Sequence, residues 1–146
     1  MPTAAKMCSA ILFAGMFFSI SYYVKQLFPD DIPSKWFFEA NTLIAAILGW
    51  RMLGKSAGKS YTLSISYSIT TTVVIIFWVL FFHGFSQMIR QSLRGNYEEV
   101  MDAVMGIFKN AINLGEKLVT VDIVSILVAA TLIIALSVEF ISRRWR

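Results

Sequence analysis

His83 and Cys8 are the only histidine and the only cysteine in this 146-residue chain. One imidazole and one thiol fall short of the three or four ligands that a zinc-type centre needs, so a His/Cys metal site from one chain is excluded. A cysteine nucleophile activated by histidine would need Cys8, at the start of the first apolar stretch, to meet His83, at the end of the third. Side chains so placed fall on opposite sides of a bundle. Cys8 therefore reads as a small apolar space filler, and His83 as a residue at headgroup level. Gly54-x-x-x-Gly58 does not form the phosphate-binding glycine loop. Glu98, Glu99 and Asp102 are three oxygen-bearing acids that a cation could use, but on a helix's polar face they read as a solvated surface. Ser64, Ser68 and Thr72 recur at i, i+4 and i+8. Small hydroxyl residues so spaced make a helix-packing face, with a polar lining for a substrate path as the alternative. No charge sits in the middle of an apolar stretch, which removes the usual mark of a proton or ion relay.

The elements that must position these residues are apolar. Stretches of this kind cover approximately residues 7–24, 37–53, 61–82 and 122–141. The chain is 57% hydrophobic and 15% charged, with a mean hydropathy of +0.66. Soluble domains carry about 25% charged residues. Since ~20 helical residues cross a hydrocarbon layer of ~30 Å, the expectation is an all-α, polytopic membrane protein with four transmembrane helices in a single domain. Its immediate partner is the lipid bilayer. The net charge of +4 comes with no basic recognition fold, so it does not point to nucleic acid. Lys6 followed by an uncharged run has the polarity of a secretory leader, but the run is long and no small-residue cleavage site precedes Tyr22, so it is expected to stay as the first span.

The stretches differ in kind. Residues 28–34, with two prolines and two aspartates, predict a turn, with Ser34 as helix cap and Trp36, Phe37 and Phe38 as an aromatic entry to the second helix. That helix spans only if Glu39 and Arg51 reach the two interfaces, Arg51 by snorkelling. The third begins with a strand-like alternation of polar and apolar residues, yet an isolated strand cannot satisfy its backbone in a bilayer, so a helix is expected. Residues 97–117 place Val100, Met101, Val104, Met105, Phe108, Ala111 and Ile112 on one side, with charged and amide residues opposite. This predicts one amphipathic surface helix between the third and fourth spans. Packing on the bundle's loops is the alternative. Glu139 is placed to pair with Arg143 at i+4, and Arg143, Arg144, Trp145 and Arg146 form a basic, interfacial tail. Basic residues close to the spans favour both termini in the cytoplasm.

Several short motifs, in order along the chain, resemble the TrgA family of small bacterial membrane proteins. They are the opening Met1-Pro2-Thr3-Ala4-Ala5-Lys6, then Gly49-Trp50-Arg51-x-x-Gly54, Met88-Ile89-Arg90-x-Ser92-Leu93 and Ser142-Arg143-Arg144-Trp145. The resemblance implies a bacterial inner-membrane protein associated with tellurite resistance, a stress response, and implies no catalytic residues and no cofactor. With one thiol, self-contained dithiol reduction of tellurite is not expected. Three readings follow. One is a non-enzymatic membrane protein contributing to oxyanion stress resistance, alone, as a homo-oligomer or with a membrane partner. The second is a small oligomeric anion transporter, with Arg51 as the anion contact and Ser64, Ser68 and Thr72 as the path. The third is a scaffold that docks a partner through Met101, Met105 and Phe108.

Overall fold

A helix satisfies its own backbone groups, so apolar runs of this length fold as helices whether or not their side chains alternate. The computed structural model describes residues 4–27, 36–56, 58–95 and 99–144. The expected turn at 28–34, the Ser34 cap, Tyr97, Glu98 and Trp145 lie outside them. Among the described residues all regular structure is helical: α1 Ala4–Leu27, α2 Phe37–Arg51, a single turn α3 Leu53–Ser56, α4 Tyr61–Leu93, α5 Val100–Leu118 and α6 Val121–Arg144. Three of these, α1, α4 and α6, are long and apolar enough to cross a membrane. At 15 residues, or ~22 Å, α2 is shorter than that requirement. It stops at Arg51 instead of continuing to residue 53, because the chain turns at Met52 before starting α3.

Small residues bring α1 and α2 together. A methyl group added at Gly49 would lie 2.9 Å from the Phe13 ring and 3.0 Å from the Ser9 carbonyl oxygen. In that contact the Ser9 hydroxyl donates to the Gly49 carbonyl at 3.0 Å. Apolar side chains gain nothing by leaving lipid for protein, so close approach of this kind is what holds such helices together.

Two bonds fix how α4 and α6 run. Ser64 bonds to Glu139, and Thr72 lies 2.9 Å from Thr131. The intervals 64–72 and 131–139 match, so the helices are antiparallel and in step. The strand-like start of α4 is helical, and its hydroxyls turn back on the helix, Thr70 to Ser66, Thr71 to Tyr67 and Thr72 to Ser68. By the same register the start of α6 is level with residue 82 of α4. The third helix does not end at residue 82 as its composition suggested. It continues through Gly84 to Leu93, projecting roughly 16 Å past the start of α6.

That projection is where α5 packs, which alters the expected surface helix. The strip of α5 buried in the molecule is Gly106, Ile107 and Asn110, on the flank of its apolar face. Gly84 is the crossing point, since a methyl group there would meet the Ile107 carbonyl oxygen at 2.6 Å. Asn110 also donates to the Gln91 side chain at 3.3 Å. The apolar face itself, through Met101, Val104, Met105, Phe108 and Ile112, is left on the surface.

The start of α1 and the end of α6 reach one end of the bundle. Gly54 lies against Lys6 near the start of α1, and Gly58 lies against Ser142 near the end of α6.

Candidate functional site

Two groups of buried polar side chains each surround a titratable residue, and α4 contributes to both. At the end shared by α3, the start of α4 and the end of α6, Glu139 is 0% exposed. A carboxylate taken out of water is costly unless its oxygens are met by donors. Here Oε2 accepts from the Gly58 backbone N–H at 2.8 Å and from the Ser64 hydroxyl at 2.7 Å. Oε1 accepts from Nε of Arg143 at 3.0 Å, the expected i+4 pair. The Arg143 guanidinium also sits over the Tyr61 ring, 4.5 Å from its centroid. Gly58 takes φ +88°, a conformation L side chains rarely adopt, and so turns its N–H towards the carboxylate. Glu139 thereby ties the connection before α4 to the last turns of α6.

Ser68 and Thr72 continue inward from Ser64. All three are buried between helices, and Thr72 closes on Thr131. The Ser68 hydroxyl is fully buried and has no hydrogen-bond partner among the described residues. Arg51, the expected anion contact, stands exposed at the end of α2. No hydrogen bond or ion pair joins it to the three hydroxyl residues among the described residues.

The second cluster lies at the other end, among α1, α2 and α4. The Asn41 amide nitrogen donates to the Ser21 hydroxyl at 2.8 Å. The amide oxygen then faces His83, whose Nε2 lies 2.8 Å away and carries the donated proton. The Phe37 ring packs against the imidazole, with centroids 4.7 Å apart. All three polar residues are buried. His83 is therefore buried among the helices with defined partners. Asn41 and Ser21 were missed in the sequence, where the one available signal was an asparagine inside an otherwise apolar run.

Cys8 and His83 do not meet. Cys8 adjoins Ser9, which bonds near the end of α2 at Gly49, whereas His83 bonds near its start at Asn41. Met101, Met105 and Phe108 are 64%, 65% and 59% exposed and form one surface on α5. Glu99 and Asp102 are also exposed. Among the described residues, no group of three or more His, Cys, Asp or Glu could hold a metal ion.

The geometry defines an all-helical chain with three potential membrane-crossing helices and two internal polar clusters. Compared with protein-family models, curated proteins and solved structures, it matches none.

Proposed function

We propose that this chain is a four-span protein of the bacterial inner membrane, with both termini in the cytoplasm, that acts without catalysis in resistance to tellurite and related oxyanions. The tellurite setting rests on the motif resemblance. The four-span arrangement is supported by α2, which accompanies α1 from the Ser21–Asn41 bond to the Ser9–Gly49 bond despite its 15 residues. The cytoplasmic placement is supported by the basic residues Lys6, Arg51, Lys59 and Arg143 at the end where α1 starts and α6 finishes.

The observation that carries a structural role over a transporting one is the Ser64–Glu139 bond. An oxyanion moving along Ser64, Ser68 and Thr72 would start beside a buried carboxylate, and like charges at such range repel strongly where the dielectric is low. The hydroxyl row is used in holding α4 to α6. A second reading, a scaffold for a membrane partner, is favoured by the exposed Met101, Met105 and Phe108 surface.

Deleting the gene and growing the bacterium on tellurite tests the proposal. The deletion strain should be sensitised and the intact gene should restore resistance. Growth equal to the parent removes the resistance role. In proteoliposomes the protein should not move labelled tellurite, and a flux that disappears in Arg51→Ala would favour transport instead.

A further inference from the structure

Beside the Asn41 cluster, all five long helices surround a cavity of about 150 Å³. Its walls are apolar, with Phe17 and Val24 from α1, Phe37 from α2, Val79 from α4, Leu118 from α5 and Ile123 from α6. Only two polar side chains line it, Ser21 and Asn41, and each is 2% exposed. An apolar protein cavity of about this size stays dry and takes up a benzene ring. This one differs in having donors on its wall. The Asn41 amide has two N–H groups, one of which goes to Ser21, and the Ser21 hydroxyl accepts that bond and donates to no other group among the described residues. No charged side chain lines the space, so a phosphate or carboxylate head would be buried without a counter-charge.

The cavity also has a continuation. A groove of about 280 Å³ runs on the outside of the bundle between α4 and α6, from Val124 to Leu132 along α6. Ile76, Val124 and Leu127 line both the cavity and the groove. A molecule with its head inside could therefore lay a tail along the two helices. Size, neutrality, donors on one wall and an apolar exit together describe a ring-shaped head with a carbonyl acceptor and a hydrocarbon tail.

We infer that this cavity and groove bind a neutral prenylquinone-type amphiphile, with a ring carbonyl accepting from Asn41 and Ser21 and the tail lying between α4 and α6. The site is independent of the oxyanion-resistance role proposed above.

Full-length protein in dodecylmaltoside micelles provides the test, with thermal unfolding as the readout. Duroquinone supplies the ring and its carbonyls, and durene supplies the same ring and methyl groups without oxygen. A ligand bound only by the folded protein raises the midpoint in a saturable way. Duroquinone should do so at a mole fraction roughly fivefold or more below that for durene, about the worth of one neutral hydrogen bond. Ser21→Ala and Asn41→Leu should each narrow that gap. Leu127→Trp, which fills the mouth and leaves the polar cluster intact, should weaken both compounds. Should Asn41→Leu fail to fold, Ser21→Ala carries the comparison. Equal effects of durene and duroquinone would overturn the inference, as would no shift with either. A shift with dioleoylglycerol and none with duroquinone would also overturn it, and would mark a lipid site.

Discussion

Ser64 donates its hydroxyl proton to the Glu139 carboxylate across 2.7 Å, joining two residues far apart in the chain at a point with no access to water. Together with the Gly58 N–H, this bond makes Glu139 the fastening between the start of α4 and the end of α6. The three donors around the carboxylate are not equal. Ser64 is buried with it, whereas the Arg143 side chain is 52% exposed and its attraction is screened by solvent.

Glu139→Ala is accordingly expected to cost about 3 kcal/mol, since it takes the acceptor from the buried Ser64 hydroxyl and from the Gly58 N–H. Ser64→Ala should cost about 1–2 kcal/mol by leaving one carboxylate oxygen short of a donor. Arg143→Ala should cost less than about 1 kcal/mol. Equilibrium unfolding in mixed micelles would read the order Glu139, Ser64, Arg143, and a larger loss at Arg143 than at Ser64 would contradict the fastening described.

Thr72→Val keeps the side-chain shape and removes the bond to Thr131. Bonds between membrane helices average about 0.6 kcal/mol, so the same unfolding assay should detect a loss of that order, well below that of Glu139→Ala.

Gly84→Leu should separate α5 from α4, because any side chain at that position runs into the Ile107 carbonyl. Cysteines placed at Gln91 and Asn110, in a background with Cys8 replaced by Ala, should be joined by a short bis-maleimide in the parent. They should not be joined when residue 84 is leucine. Undiminished cross-linking would show that the crossing point lies elsewhere.

Cysteines at Lys6 and Lys59 should react with an impermeant maleimide from the same face of the membrane, and a cysteine at Leu93 from the other. That pattern is required if α2 returns the chain to the face on which α1 begins. Labelling of Lys6 and Lys59 from opposite faces would exclude the four-span arrangement.

Replacing Met101, Met105 and Phe108 by serine should leave insertion intact and change stability by no more than about 0.5 kcal/mol per site, since these side chains are exposed. If the surface docks a membrane partner, the triple variant should lose a photo-cross-link placed at Val104. Retention of both the cross-link and tellurite resistance would remove the scaffold reading.

Much of this arrangement could be read from local pattern. The long uncharged runs gave α1, α4 and α6, the i, i+4, i+8 spacing marked Ser64, Ser68 and Thr72 as one face, and the four-residue interval marked the Glu139–Arg143 pair. What escaped was tertiary. The third apolar stretch is bounded at residue 82, just short of Gly84. Gly84 lies inside α4 because α5 needs the room that a missing side chain leaves. In α5 the hydrophobic periodicity located the apolar face, but the contact strip of Gly106, Ile107 and Asn110 lies to one side of it. The Ser21–Asn41–His83 cluster had no local signature beyond Asn41 in an apolar run, since its members belong to three different helices.

The two polar clusters are separated by an oily gap. Between Thr72 and His83 the buried side chains of α4 are Ile75 and Val79, neither of which can pass on a proton. From residue 72 to residue 83 the helix climbs roughly 16 Å, several times the reach of a single hydrogen bond. The bundle interior is an electrical insulator along this line. A bacterium overproducing the protein should therefore keep its transmembrane voltage, and liposomes containing it should hold a pH gradient as long as empty ones do.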